Sequence, residues 1–288
     1  MTEVYMVRAF PMSEKGGNPA PIVLNADGMS SEEMRKIATH FGHESGFILT
    51  ATNSDDSDFK FRFFVPHHEM EMCGHATIAA LWVLRKEKKI KKSRLVIDTL
   101  SGQVNAIVPE IGAISVSQPV AIITEVDPEY IGEVLAVLGL KSSDLARPNM
   151  LNSCTSRIKT MIALKDASIL HALEPDFEAM KNLCDKIGST GLYPFASGNV
   201  PFLFHTRQFP RSSGYQEDAA TGIAAAALSF SLLKWNMASL TDILCIRQGE
   251  AMGHPSEIGI NFQKDDGEAT GCWISGICEI DLPNVMVE

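Results

Sequence analysis

Apolar and polar positions along the chain fall into short alternating runs, interrupted by two long stretches that stay apolar nearly throughout. "VYMVRAF" at 4–10 reads as a strand, and "GGNPAPIVL" at 16–24 turns and enters a second one. Ser30 and Glu33 form an S-x-x-E capping box, which predicts a helix running to about Phe41. "SGFILT" and "FKFRFFV" are β-rich runs on either side of a polar turn, "NSDDSD". A long apolar helix is expected within "EMEMCGHATIAALWVLRK" at 69–86. Three strand-like runs follow it: "SRLVIDT", "GQVNAIV" and "GAISVSQP".

The second half repeats this grammar. "SRIKTMIAL" reads as a strand, and "PDFEAMKNLCDKIG" as an amphipathic helix ended by Gly188. "GLYPFA" and "VPFLFHTRQF" read as strands, and "EDAATGIAAAALSFSLLK" at 217–234 holds the second long helix. "DILCIRQGE", "SEIGINFQ" and "GCWISGICEIDLP" close the chain as strands. Placing Gly74 on Gly222 also aligns Ala76 with Ala224, Ala79 with Ala227 and Leu84 with Leu232.

Helices apolar all round are buried helices. The expected architecture is therefore α+β, with two pseudo-symmetric lobes, each a curved, mostly antiparallel sheet wrapped around its own central helix. The first lobe spans 1–117, with the tail of about 276–288 free to return to it; the second spans 118–275. Both helix N-termini are expected to point into a cleft between the lobes. A helix N-terminus carries unpaired N–H groups and a partial positive charge, so it is a ready anion site.

Charge narrows the partners. Of 288 residues, 25 are Lys or Arg and 35 are Asp or Glu, a formal net charge of -10. Such a surface argues against nucleic acid, which is held by Lys and Arg on phosphate. The one basic run, "RKEKKIKKSR" at 85–94, reads as a solvated helix end. No stretch reaches the roughly 20 apolar residues of a membrane span. "MTEVYMVRAF" lacks a signal peptide's charged start and cleavage site, and the six cysteines form no CxxC pair. Free thiols and a cytoplasmic address are expected. "HHE" at 67–69 lacks an H-E-x-x-H frame, and neither G-x-G-x-x-G nor a P-loop is present. No metal and no cofactor are expected.

"GGNPAPIVL", "HESGFI", "CGHATIAA", "EDAATGIAAAAL" and "IRQGEAMGHPSEIGI", in that order, resemble the phenazine-biosynthesis PhzF-like proteins of the diaminopimelate epimerase fold. The resemblance spans essentially the whole chain. It implies that Glu44 is the catalytic carboxylate, a general acid/base that moves a proton on an activated substrate; the bland reading is a polar residue at a strand start. It implies that His75 hydrogen-bonds substrate or assists proton transfer, against a plain local cap. Asp218 would hold a substrate amine or hydroxyl, against simple helix N-capping. Cys73 and Thr221 stand at the two helix mouths, next to Gly74 and Gly222. Paired cysteines act there in diaminopimelate epimerases, but a Thr hydroxyl is too weakly acidic to replace a thiolate unaided. Cys73 reads equally well as a small buried thiol. Asn18, Gly249 and Gly253 match segments lining the family's pocket, the glycines admitting close backbone approach.

Departures from the family pattern bear on substrate choice: His43, Ser45, Ala219, Ile223 and His254 replace the usual Ser, Thr, Pro, Ser and Arg. The sequence thus predicts a cofactor-independent isomerase of a small, anionic, carboxylate-bearing metabolite. A Cys73/Thr221 dehydratase or epimerase and an inactive binding homologue are the alternatives. The resemblance also implies a homodimer.

Overall fold

The computed structural model describes residues 1–52 and 56–287, which form two compact units. Asn53, Ser54 and Asp55 of the anticipated "NSDDSD" turn lie outside the described residues. The first unit comprises Met1–Ser117 and Ile274–Glu288, the second Gln118–Trp273.

The first unit runs β1 (Thr2–Ala9), β2 (Asn18–Val23), α1 (Ser31–Phe41), β3 (Ser45–Thr50), β4 (Phe59–Phe64), β5 (Glu69–Met70), α2 (Gly74–Lys86), β6 (Arg94–Thr99), β7 (Gly102–Ile107) and β8 (Ile114–Gln118). The capping box that announces α1 is complete. Ser30 Oγ accepts from Glu33 N, Glu33 Oε2 accepts from Ser30 N, and Gly42 ends the helix at φ +70. Met34, Ile37 and Ala38, spaced to share one helix face, pack with Val4, Met6 and Phe47. The helix α2 packs against β1, β2 and β3. Ten of its thirteen residues are buried, the exceptions being Trp82, Arg85 and Lys86.

The second unit runs β9 (Ile122–Glu125), α3 (Pro128–Leu138), a 3-10 turn (Ser142–Asp144), β10 (Leu151–Cys154), β11 (Ile158–Leu164), α4 (Ala167–His171), α5 (Phe177–Lys186), β12 (Gly191–Ser197), β13 (Leu203–Thr206), β14 (Phe209–Pro210), α6 (Gly222–Lys234), β15 (Ile243–Gln248), β16 (Ser256–Asp265) and β17 (Glu268–Gly276). A last strand, β18 (Cys278–Val287), pairs antiparallel with β1 in the first unit. The helix α6 packs against β10, β11 and β16. Ala224, Ala225, Ala226 and Ala227 are wholly inaccessible. Its two buried hydroxyls are satisfied within the helix: Ser229 Oγ donates to Ala226 O at 2.7 Å and Ser231 Oγ to Ala227 O at 3.2 Å.

Strand pairing shows one plan used twice. From β1 the sense runs antiparallel to β2, parallel to β3, antiparallel to β4, parallel to β6 and antiparallel to β7. From β10 the sense runs antiparallel to β11, parallel to β12, antiparallel to β13, parallel to β15 and antiparallel to β16. Each series makes its second parallel step, from β4 to β6 or from β13 to β15, by way of the long buried helix. A mixed, mostly antiparallel sheet serving one central helix is thus the unit of this α+β fold. Among the described residues no helix is long and apolar enough to cross a membrane.

Two expected strands divide. "VPFLFHTRQF" becomes β13 and β14, because the facing strand carries Pro194, which has no N–H to donate to the ladder. Gln208 turns its backbone away instead and accepts from Asp218 N at 3.1 Å. "GCWISGICEIDLP" breaks at Ile277, whose carbonyl accepts from Phe10 N at 2.9 Å. "HHE" is an exposed bend whose Glu69 begins β5 and pairs with Arg62 at 2.7 Å.

Buried helices of this kind tolerate no added volume. Ala227→Leu should destabilise the protein by about 1–3 kcal/mol, read from urea unfolding midpoints at unchanged m-value. Lys36→Leu, on the solvated face of α1, should stay within about 0.5 kcal/mol of the parent.

Candidate active site

At the mouth of α2 the backbone geometry gathers three reactive side chains. Glu44 leads directly into β3, just beyond the α1 cap. Gly46 on β3 lets α2 sit close: a Cβ there would lie 3.0 Å from Ile22 Cδ1 and 3.6 Å from Ala76 O. Cys73 is the N-cap of α2 and makes no side-chain cap hydrogen bond. Its Sγ donates to Glu44 Oε2 at 3.0 Å and lies 3.4 Å from His75 Nδ1. His75 Nδ1 is 3.5 Å from the same Glu44 oxygen. Side-chain exposure is 13% for Glu44 and 5% for His75, so the group is screened from bulk water. Thr77 Oγ1 closes the turn by donating to Cys73 O at 2.7 Å.

A carboxylate, a thiol and an imidazole within hydrogen-bonding reach can share and pass one proton. The Cys73 S–H engages one carboxylate oxygen, Oε2. The first N–H groups of α2 have no cap side chain from Cys73 to serve them, so the mouth also favours negative charge. Carboxylate, thiol and imidazole are donors that a borderline divalent ion also accepts, and these three ligand atoms lie within 4.8 Å of one another. Gly74 is the first residue of α2. Asn18 opens β2, buried and opposite Ala9 of β1.

The mouth of α6 is built differently. Thr221 is its N-cap and likewise makes no side-chain cap bond, with Gly222 as the first helical residue. Thr221 Oγ1 instead donates to Asp218 Oδ2 at 2.5 Å. Gln248, fully buried at the end of β15, holds the whole turn. Its Nε2 donates to Asp218 O at 2.7 Å and to Thr221 Oγ1 at 3.0 Å, and its Oε1 accepts from Thr221 N at 3.3 Å. Oε1 lies 2.9 Å from the hydroxyl of Tyr193, whose buried phenol is pushed to a higher pKa and stays a donor. The loop before Asp218 is anchored by Glu217, which accepts from Arg207 through both oxygens at 2.8 and 2.7 Å.

Gly249 follows Gln248 at φ +77, and a Cβ there would fall 2.3 Å from His254 O and 2.8 Å from Ala219 O. The turn it begins is closed by His254 N donating to Gly249 O at 3.0 Å. Gly253 lies in that turn at φ +75, and nothing lies within 4 Å of its missing Cβ.

The structure therefore gathers Glu44, Cys73, His75 and Gly74 in the first unit, and Asp218, Thr221, Gly222 and Gly249 in the second. Sequence reasoning passed over Tyr193 and Arg207, and met Gln248 only as the first residue of the pocket-lining segment matched at 248–256. A tyrosine inside a strand carries no motif of its own. Arg207 and Glu217 are ten residues apart and meet only because β14 folds back. Gly249→Ala should cost at least the roughly 1–2 kcal/mol of a left-handed non-glycine residue, with the carbonyl clashes added. Thermal unfolding should show the loss, whereas Gly253→Ala should cost no more than the backbone share.

Comparison with known proteins places this geometry. The family model for phenazine biosynthesis-like protein, PhzC-PhzF, matches residues 7–278. The uncharacterized isomerase YddE of Escherichia coli is 30% identical over 291 residues, covering 96% of each chain. Trans-2,3-dihydro-3-hydroxyanthranilate isomerase of Pseudomonas aeruginosa is 29% identical over 263 residues, covering 90% of this chain and 89% of its own. Among solved structures, a PhzF-family phenazine biosynthesis protein of Bacillus anthracis matches with a TM-score of 0.86 at 24% identity, over 99% of both chains. A proline racemase of Agrobacterium radiobacter shares the fold at a TM-score of 0.69 and 12% identity, over 100% of this chain and 93% of its own. With a half-buried carboxylate at the first helix mouth and kin named as isomerases along most of its length, the chain belongs to the phenazine biosynthesis-like protein family and is an enzyme of the isomerase class.

Proposed function

We propose that this isomerase moves a proton between two carbons of a small carboxylate-bearing substrate without a cofactor, Glu44 being the group that takes and returns it. The observation that carries this reading is the contact of Glu44 Oε2 with Cys73 Sγ at 3.0 Å and His75 Nδ1 at 3.5 Å, at the N-terminus of a buried helix. Glu44 removes a proton from a C–H next to an activating group, and the electron pair shifts into the adjoining π system. The carboxyl exchanges its proton with solvent water between the two steps and then protonates the far carbon. No atom is lost, and the product is an isomer.

Charge that develops in between is met by the N–H groups of the α2 mouth and by His75. Cys73 serves as a positioning donor: its S–H fixes Oε2 of Glu44 at the mouth of α2. Asp218 is assigned to binding an amine or hydroxyl, since its carboxylate already accepts the Thr221 hydroxyl at 2.5 Å. That same bond weighs against Thr221 as a base, and so against a Cys73/Thr221 elimination. The Pseudomonas relatives are named for trans-2,3-dihydro-3-hydroxyanthranilate, a carboxylate with a neighbouring amine, and compounds of that class are the first to try.

Incubating such compounds in deuterated water should give enzyme-dependent label at carbon, followed by mass spectrometry. Glu44→Gln should lower the rate at least about 100-fold. Cys73→Ala should lower it about tenfold, as loss of one hydrogen bond implies. Full labelling by Glu44→Gln removes Glu44 from the role, and tight binding without exchange at any pH leaves a binding protein only. Asp218→Asn should raise KM more than it lowers kcat in steady-state assays.

A further inference from the structure

The second unit carries a cluster of metal-ligating side chains that the reaction above does not use. His171 ends α4, His205 lies in β13, and Glu250 follows β15. Their ligand atoms all lie within 4.8 Å of one another. His205 Nδ1 is 2.6 Å from Glu250 Oε2, and His171 Nε2 is 3.6 Å from the same oxygen. The two imidazole rings stand 5.8 Å apart between centroids and nearly perpendicular, at 80°.

These separations suit a first-row ion. At metal–ligand bonds of about 2.1 Å, tetrahedral donors stand about 3.4 Å apart. The observed 2.6 and 3.6 Å bracket that value, so an ion would enter by replacing the proton between His205 and Glu250. Side-chain exposure rises from 15% at His205 and 22% at Glu250 to 38% at His171. One side of the cluster therefore opens to solvent, giving an ion a path in and room for water ligands.

The backbone behind each ligand is fixed. Arg207 Nη1 donates to the carbonyls of Leu170, His171 and Leu173 at 3.2, 3.4 and 2.7 Å, holding the end of α4. His205 sits in register with Arg247 across the parallel pair of β13 and β15. Glu250 is inside the closed turn, its carbonyl accepting from Gly253 N at 3.1 Å. Preorganised ligands on three separate segments are what distinguish a site from a chance surface pair.

We propose that His171, His205 and Glu250 form a binding site for one divalent transition ion of the zinc, cobalt or nickel class. Two imidazoles and one carboxylate select these ions over magnesium and calcium, which take oxygen ligands. The bound ion ties α4 and β13 to the turn that begins at Gly249, next to the Gln248 that holds Asp218 and Thr221. Its effect is to stiffen that turn, and it stands whether or not Glu44 is the proton carrier.

The test uses the full chain, free of any affinity tag, stripped with chelator and titrated with Co²⁺ by calorimetry and absorption spectroscopy. One ion per chain is expected, with ligand-field bands and no thiolate-to-cobalt charge-transfer band. At a hundredfold excess over Kd the melting temperature should rise by about 5 °C, and Mg²⁺ should not reproduce the rise. His171→Ala and His205→Ala should each weaken binding by no less than the roughly 10–100-fold that loss of a supporting partner costs. Exposed His171 can be removed without disturbing the core, so that variant decides if the other fails to fold. Burial raises Cys184 to about 11 and Cys272 to about 12, which keeps those thiols from competing. A thiolate band, which reports an ion at Cys73, overturns the proposal. So does binding retained in His171→Ala, or no binding to the parent protein.

Discussion

A helix buried on every side still has an end, and that end leaves backbone N–H groups without partners inside the helix. Most helices meet the need with a capping side chain on the preceding residue. Here Cys73 and Thr221 occupy that position and provide no such bond. Polar atoms in a dry interior are costly to leave unmatched, so each mouth is a place where an anion is favoured. The small residues that let α2 and α6 be buried are also what bring other strands near those mouths. Gly46 admits Ala76, and Gly249 admits Ala219.

The two units share one topology and put different chemistry on it. At α2 the N-cap thiol faces a carboxylate and an imidazole, three groups that can exchange a proton. At α6 the N-cap hydroxyl donates to Asp218, accepts from Gln248, and has no proton left to trade. On the function proposed above, the first mouth carries the proton transfer and the second the recognition. That division follows from which side chains surround each cap, since both helices run thirteen residues from an N-terminal glycine.

Much of this was written in local patterns. The Ser30–Glu33 box fixed the start of α1, and the register of Gly74 on Gly222 carried through to helices of equal length. Glu44, Cys73 and His75 were marked by motif, although their mutual contact depends on β3 lying against α2. Other parts had no local signal. The helix α3 is an exception, since Asp127 at its N-cap, Pro128 in its first turn and Gly139 at its end are local signals that sequence reasoning left unused. The gap between β13 and β14 arises from Pro194 on a different strand. Gln248, Tyr193 and the His171, His205 and Glu250 cluster join residues tens of positions apart. No spacing rule could have grouped them.

The central proposal is that the substrate binds at the mouth of α2, beside Glu44. Backbone amide resonances of uniformly labelled protein, followed during titration with a small aromatic amino-carboxylate, address it directly. The account predicts saturable shifts concentrated at the amides of Gly74, His75 and Ala76. A ligand that binds while all three amides stay unmoved would contradict it.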